Sequence, residues 1–194
     1  MGAVLISMVM LTSQEWRQVL ESDGVTVEAR EKAGSRFAEH RAVATVALSV
    51  EALCAGAFGN GPIDKREPAL KSRRVLSETQ DERVAFERTG APFVSDREYV
   101  VRTRRIRGDG GKCRVVSEIA NELAPPTSPG AVRLEQADSV WEFEPTARGD
   151  TRITYLVWTD PKVSLPAFLI ESSLRRIVAE WVMLVIERAR SWKK

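Results

Sequence analysis

The sequence predicts one α+β domain in which a curved antiparallel sheet wraps around a long C-terminal helix. From Leu165 to Trp192, apolar side chains recur at helical spacing, which predicts one amphipathic helix of about 28 residues. Ahead of it, apolar and polar residues alternate in several runs separated by turn sequences, as expected for an antiparallel sheet. Wrapping that sheet around the last helix buries the helix's apolar face, so both patterns favour one domain.

The first half of the chain contains two predicted helices on either side of a hairpin. Thr12 to Glu15 is a capping sequence, so we predict a helix over 12–20 that ends at Asp23-Gly24. Alternation predicts strands at 25–30 and 36–48 with Gly34 in the turn between them. Ser49 caps a second helix over 50–58, which is ended by the glycines that follow it.

The second half contains six predicted strands and the long helix. Strands at 73–78 and 83–88 flank a polar turn, and strands at 97–107 and 112–119 flank the turn that begins at Gly108. A loop with three prolines precedes strands at 132–143 and 152–158, and Asp160-Pro161 ends the last of them. The helix begins near Leu165 because Pro166 fits its first turn, where the missing N–H is harmless.

Composition and charge exclude several classes of function. The 194 residues are 43% hydrophobic and 29% charged, which is typical of a globular protein with a substantial core. The formal net charge is only +2, so we expect no nucleic-acid partner, because such domains are usually clearly basic. Cys54 and Cys113 are predicted to be buried free thiols. With His40 as the single histidine and no Cys/His cluster, we expect no metal site and no cofactor.

The N-terminus carries an apolar segment. Residues 3–11 are uncharged and mostly apolar, but no basic residue precedes them, no cleavage sequence follows, and they are too few to span a bilayer. We therefore predict an apolar leader at 1–11, a single ligand-binding domain at 12–194 and a cytoplasmic location. Export, or membrane association through residues 1–11, is the alternative.

Alternation within the strands identifies candidates for an inward-facing wall. Trp141 and Phe143 alternate with glutamates, so the aromatic side chains should face inward, and Tyr155 lies in a similar strand. In the last helix, Ser172 and Ser173 are small and lie among apolar residues, where they would leave room for a ligand. The sequence leaves open whether such residues fill a core or line a cavity.

Five markers that follow one another along the chain resemble one known family. They are Asp23-Gly-Val-Thr-Val, Ser72-Arg-Arg-Val-Leu, Ser95-Asp-Arg-Glu-Tyr-Val, Val140-Trp-x-x-Glu-Pro, and Asp160-Pro through Leu165-Pro. In this order, and with the strand break at Gly90, they identify the chain by resemblance as a bacterial-type single-domain member of the START (StAR-related lipid-transfer) family.

The resemblance implies a helix-grip fold whose cavity takes sterols, phospholipids or related apolar compounds, with residues 165–181 as a lid. It matches Glu87 to the buried acidic group often found in such cavities. The basic partner of that group falls nearest Thr103 or Arg102, and strand parity leaves both open. One departure lies at 63–66, where Ile-Asp-Lys-Arg stands in place of the family's usual Pro-Glu-Trp segment.

The predicted function is to bind a lipid or sterol-like molecule in an internal cavity gated by the C-terminal helix, for transport or sensing. The protein is predicted not to be an enzyme, and to contact membrane surfaces only transiently. The predicted ligand-binding residues are Glu87, Tyr99, Val101, Thr103, Trp141, Phe143, Tyr155, Phe168, Leu169, Ser172 and Trp181.

Two alternatives to the carrier function stay open. The first is a cyclase or hydrolase on the same scaffold, acting on a polyketide or lipid substrate, for which Glu87, Tyr99 and Tyr155 are the plausible catalytic set. The second is a module that docks on anionic membranes through the basic residues of 65–74 and 188–194.

Overall fold

The computed structural model describes residues 15–59, 65–90 and 94–192, which form ten strands and two α-helices. The strands are β1 (Arg17–Ser22), β2 (Val25–Arg30), β3 (Glu39–Val46), β4 (Leu70–Glu78), β5 (Glu82–Thr89), β6 (Arg97–Arg107), β7 (Cys113–Ile119), β8 (Val132–Arg133), β9 (Ala137–Pro145) and β10 (Thr151–Thr159). The helices are α1 (Val50–Phe58) and α2 (Ala167–Ser191). The predicted leader at 1–11 lies outside the described residues.

The strands form one curved sheet with the order β1-β2-β3-β10-β9-β7-β6-β5-β4. Every neighbouring pair along that order is antiparallel, and the short β8 adds a parallel pairing to β6. Both helices pack against the same face of the sheet, α1 on β6, β7 and β9, and α2 on β1 to β3. This arrangement confirms the predicted α+β helix-grip fold.

The first predicted helix is wrong, because residues 17–22 form strand β1 instead. Asp23 and Gly24 both have positive φ, 51° and 77°, which is the conformation of a two-residue hairpin turn. That turn folds 17–22 back onto β2, and the two strands pair in an antiparallel ladder with one irregularity between Gln18 and Leu20. Asp-Gly is therefore a hairpin signal here rather than the end of a helix.

The predicted strand over 132–143 is interrupted between β8 and β9. Leu134 leaves the sheet there, with its N–H donating to the Glu98 carbonyl at 3.1 Å. The Asn121 side chain donates to the Leu134 carbonyl at 2.7 Å and accepts from the Val100 N–H at 3.0 Å. These bonds hold the preceding loop over the outer face of the sheet, where Val84 and Val100 form a small second core.

The main core lies where α1 and the C-terminal half of α2 meet the sheet. Ser49 caps α1 as predicted, accepting a hydrogen bond from the Ala52 N–H at 3.2 Å. The two helices approach closely at Gly56, where a Cβ would lie only 3.0 Å from the Val185 carbonyl oxygen. Among the described residues, neither helix combines the length and the apolarity needed to cross a bilayer.

The prediction of two free thiols is wrong, because Cys54 of α1 and Cys113 of β7 form a disulfide. Both cysteines are buried, as predicted, and their Cα atoms lie 6.2 Å apart. Disulfides persist mainly in oxidising compartments. The pair therefore gives no support to the predicted cytoplasmic location.

Candidate ligand-binding cavity

A cavity of about 560 Å³ lies between the inner face of the sheet and α2. Its volume falls within the usual range for pockets that hold a drug-sized or lipid-sized molecule. The middle of the cavity is apolar, with walls from β6, β7, β10 and α2 that include Val101, Ile119, Val157, Leu174, Ile177 and Trp181. The packed core gives way to the cavity beyond α1, because α1 covers only part of the inner face of the sheet.

Eight of the eleven predicted ligand-binding residues line this cavity. They are Glu87, Tyr99, Val101, Thr103, Trp141, Tyr155, Leu169 and Trp181. The structure corrects the other three positions. Phe143 is fully buried in the core, two residues beyond Trp141 along the strand. Phe168 is 70% exposed and Ser172 is exposed, so both lie on the outer side of α2.

The rotation of α2 explains the two errors on the helix. Leu169, Ser173 and Ile177 follow one another at intervals of four residues and form one row that faces the cavity. Phe168 and Ser172 belong to the next row, which faces away from it. Ser173, not Ser172, is therefore the small residue that leaves space beside the cavity.

An aromatic pair forms a flat part of the wall. Trp141 of β9 and Tyr155 of β10 are register partners, and their rings stack with centroids 3.8 Å apart and an interplanar angle of 12°. Burial raises the pKa of Tyr155 above its usual range, so its phenol stays neutral. The pair offers an apolar surface on which a ligand can lie.

A row of polar side chains crosses three strands at one end of the cavity. Arg73 of β4, Glu87 of β5 and Tyr99 of β6 are successive register partners. Glu87 Oε1 accepts from Arg73 Nε at 2.6 Å, and Glu87 Oε2 accepts from the Tyr99 hydroxyl at 3.1 Å. The basic partner of Glu87 is thus Arg73, and the expectation of Thr103 or Arg102 is wrong. The sequence predicts Arg73 at the start of a strand but gives it no role in the cavity, and the β4–β5 register is what brings it to Glu87.

The two residues expected to partner Glu87 have other contacts. The Thr103 hydroxyl lies in the cavity and shares a hydrogen bond with the Ser117 hydroxyl at 3.1 Å. The guanidinium of Arg102 lies on the other face of the sheet, 3.3 Å from the Glu122 carboxylate. Strand alternation separates the two side chains.

Three more charged residues extend the row, and we call the set of Glu67, Arg73, Arg83, Glu87 and Arg188 the arginine cluster. Glu67 accepts from Arg73 Nη2 at 2.7 Å and from Arg188 Nη2 at 2.8 Å. Burial alone would raise the pKa of Glu67, but the hydrogen bonds and charges of the two arginines outweigh it and lower that pKa. Burial opposes the charge of Arg73 as well, yet the two carboxylates raise its pKa. Glu67 and Arg73 therefore remain ionised.

Two contacts at the other end of the cavity tie α2 and the loop before it to the sheet. Glu171 of α2 accepts from the Ala38 N–H at 2.8 Å, and its second oxygen lies 3.1 Å from His40 Nε2. Arg97 of β6 donates to the carbonyls of Pro161 and Lys162 at 2.8 and 3.2 Å. Sequence reasoning assigned no role to His40, Arg97 or Glu171.

The Glu171 contact predicts a pH dependence of stability. Burial opposes ionisation of Glu171, but the contact with His40 and the hydrogen bond from the Ala38 N–H prevail and lower its pKa. A carboxyl whose pKa is lower in the folded state stabilises the fold above its unfolded pKa, and this stability is lost as pH falls through the folded pKa. We expect Glu171→Gln to lower stability by about 1.5–3 kcal/mol near neutral pH. The difference from wild type should shrink below about pH 4.

Thermal unfolding followed by circular dichroism from pH 3 to 7 measures that difference. Glu180→Gln is the matched control, because Glu180 lies on α2 but is exposed. A Glu171→Gln effect of the same size at every pH would contradict the role assigned to the carboxylate charge.

The chain is similar in sequence to known proteins. A model of the START domain matches residues 73–190, which is more than half of the chain. An uncharacterized protein of Pseudomonas aeruginosa is 25% identical over 165 residues, covering 82% of this chain and 79% of its own. Among the described residues, no group of three or more His, Cys, Asp or Glu side chains is placed to hold a metal ion.

Solved structures share the architecture. A STAR-related lipid transfer protein from Xanthomonas axonopodis superposes with a TM-score of 0.76 at 22% identity, covering 90% of this chain and 98% of its own. Human StAR-related lipid transfer protein 5 superposes with a TM-score of 0.76 at 19% identity, covering 93% and 88%. A Streptomyces aromatase/cyclase superposes with a TM-score of 0.50 at 11% identity, covering 78% of this chain and 93% of its own. At sequence identities this low, the structural similarity shows that the fold is shared and nothing more.

Proposed function

The chain belongs to the START domain family, and on that basis we propose that it binds a lipid or another apolar small molecule in the cavity, for transport or sensing. The observation that carries this proposal is the cavity itself, about 560 Å³ of space inside a domain of this size. A packed interior normally leaves few voids larger than a water molecule. A space this large is consistent with a guest molecule.

Apolar contact supplies enough free energy for such binding. Burying about 400 Å² of apolar ligand surface contributes on the order of 10 kcal/mol at ~25 cal/mol per Å². Association costs of at least ~4 kcal/mol reduce that figure to about 6 kcal/mol, which corresponds to a Kd of tens of micromolar. The stacked Trp141 and Tyr155 rings, with Leu174 and Ile177 on the facing helix, provide the apolar surface.

We propose that the N-terminal half of α2 and the loop before it act as the lid. Leu169 and the loop residue Val163 border the cavity, while Phe168 and Leu165 expose apolar surface beside them. Within the part of the chain that the structure describes, few polar contacts tie this part to the sheet, among them those of Arg97 and Glu171. Exposed apolar residues at the lid suit brief contact with a membrane during ligand exchange.

The chemistry of the cavity favours a carrier over an enzyme. Each oxygen of Glu87 already accepts a hydrogen bond, so this carboxylate is a poor general base. Burial and the neighbouring Glu87 charge raise the pKa of Tyr99 well above its usual range, so its phenol does not ionise readily. The docking module is also less well supported, because Arg73 is buried in the cluster and Arg66 pairs with Glu187.

Native mass spectrometry of the purified protein tests the proposal. We expect a population carrying an extra mass that organic extraction removes and identifies as a lipid or another apolar compound. Adding the identified compound to the emptied protein at about 100 times its Kd should stabilise the fold by ~2.7 kcal/mol. For a chain of this length that corresponds to a rise in Tm of about 5–10 °C.

A consistently empty protein would contradict the proposal if its Tm also failed to respond to a panel of sterols, fatty acids and phospholipids. Turnover of a lipid or polyketide ester that disappears in Glu87→Gln would instead support the enzyme alternative. Because Glu87→Gln keeps the shape of the side chain, a loss of turnover with Tm near wild type would point to the carboxylate.

A further inference from the structure

We propose that the ligand carries one anionic oxygen group, a carboxylate or a phosphate, and that Arg83 binds this group at the polar end of the cavity. The inference rests on the proposed function, because it names the chemical class of the guest and its orientation. The apolar remainder of the guest would then extend between α2 and the Trp141–Tyr155 pair.

The arginine cluster carries one positive charge more than its carboxylates neutralise. Arg73 lies between Glu67 and Glu87 and bonds to both of them. Arg188 bonds to Glu67 from α2. The two carboxylates are therefore engaged by Arg73 and Arg188, and within the described residues neither accepts a hydrogen bond from Arg83. Arg83 is thus a third cation at this end of the cavity, and no carboxylate of the cluster is hydrogen-bonded to it.

Arg83 is poorly compensated by the residues around it. It is only 7% exposed, and its guanidinium lies 5.4 Å from the centre of the Phe58 ring. Its Nη1 donates to the Gly59 carbonyl, and among the described residues the nearest carboxylate, that of the exposed Glu78, is 4.0 Å away. Burial and the charge of Arg73 lower the pKa of Arg83 by more than the charges of Glu87, Glu78 and Glu67 raise it. A buried cation in this condition is costly unless a further anion binds it.

The free donors of Arg83 border the cavity. Within the described residues, Nε and Nη2 of Arg83 have no hydrogen-bond partner, although Arg83 belongs to the cavity wall. A guanidinium presents its N–H groups in a planar fork that matches the oxygens of a carboxylate or phosphate. A ligand anion at this place would accept those donors and neutralise the extra charge.

Other polar groups of the cavity are less suited to an anion. Each oxygen of Glu87 already accepts one hydrogen bond, so a neutral ligand hydroxyl would compete there with Tyr99. Arg97 is the other buried arginine of the wall, but each of its three nitrogens donates to a backbone carbonyl. Among the described residues of the wall, Arg83 is therefore a cation with two N–H groups to spare.

Oleic acid, oleoyl lysophosphatidic acid and oleyl alcohol test the inference, because they share one tail and differ in the head group. Titrations at pH 7.5, below micelle-forming concentrations, would follow the fluorescence of Trp141 and Trp181 in the cavity wall. We expect the better of the two anions to bind on the order of 10- to 100-fold more tightly than the alcohol. Which anion binds better separates a carboxylate source from a phosphate source.

Arg83→Met should abolish this preference, whereas Arg83→Lys should keep part of it because the charge remains. Arg105→Met is the matched control. Arg105 stacks on the same Phe58 ring, with its guanidinium 4.9 Å from the ring centre, but it donates to Asp81 outside the cavity wall. We expect Arg105→Met to leave the preference unchanged.

The outcomes separate this inference from the proposed function. If the alcohol binds wild-type protein as tightly as both anions, the inference is overturned and lipid binding still stands. The same holds if the preference for an anion survives in Arg83→Met. If Arg83→Met does not fold, the wild-type comparison and Arg83→Lys still decide. Failure of every apolar compound tested, these three and the wider panel, counts against the proposed function itself.

Discussion

Replacing Arg73 with methionine is expected to lower the free energy of unfolding by about 3–5 kcal/mol. Arg73 is the shared partner of Glu67 and Glu87, with N–O distances of 2.7 and 2.6 Å, and all three side chains are largely buried. Methionine fills a similar volume but leaves Glu87 with only the Tyr99 hydroxyl as partner. The cost is that of burying carboxylates without a compensating charge. Urea unfolding followed by circular dichroism measures it.

Arg74→Met is the matched control for this experiment. Arg74 is the next residue on β4, points to the other face and is exposed, so its replacement should change stability by no more than about 1 kcal/mol. Combining Arg73→Met with Glu87→Gln should recover part of the loss, because the second change removes one uncompensated charge. An Arg73→Met protein within 1 kcal/mol of wild type would contradict the role of the cluster in stability.

Elements with a strong local pattern could be predicted from the sequence. The long helix α2 and strand β6 appear close to their predicted bounds, since each carries a sustained apolar periodicity. The prediction of a first helix was wrong because its short apolar pattern fits a strand equally well. The Asp23-Gly24 turn places this segment beside β2, with which it pairs. In a segment this short, helix propensity contributes less to stability than pairing with a neighbouring strand does.

The candidate site depended on information that a single sequence does not contain. Arg73 is 14 residues from Glu87 in the chain, and only the β4–β5 register places their side chains together. Alternation correctly put Trp141 and Phe143 on the inner face, but depth along the strand decides that Trp141 lines the cavity and Phe143 fills the core. On α2, the choice between Ser172 and Ser173 needed the rotation of the helix.

Filling the cavity should abolish ligand binding while the fold survives. Val101 of β6 and Val157 of β10 line opposite parts of the wall. In the double variant Val101→Trp, Val157→Trp, two indole rings occupy space that the guest requires. A guest that loses about 110 Å² of apolar contact loses on the order of 2.8 kcal/mol, which is a roughly 100-fold weaker Kd. Overpacking should lower stability by about 1–3 kcal/mol.

The control is the double variant Val116→Trp, Val140→Trp, in which the same substitutions fall on two half-buried register partners outside the cavity wall. The titration uses the compound that co-purifies with wild-type protein, and native mass spectrometry reports how much of each variant carries it. We expect the control to bind with an unchanged Kd and the cavity variant to be empty. If the cavity variant is folded and keeps its affinity within about threefold, a difference of only ~0.6 kcal/mol, the guest binds elsewhere. The space beneath α2 would then not be the binding site.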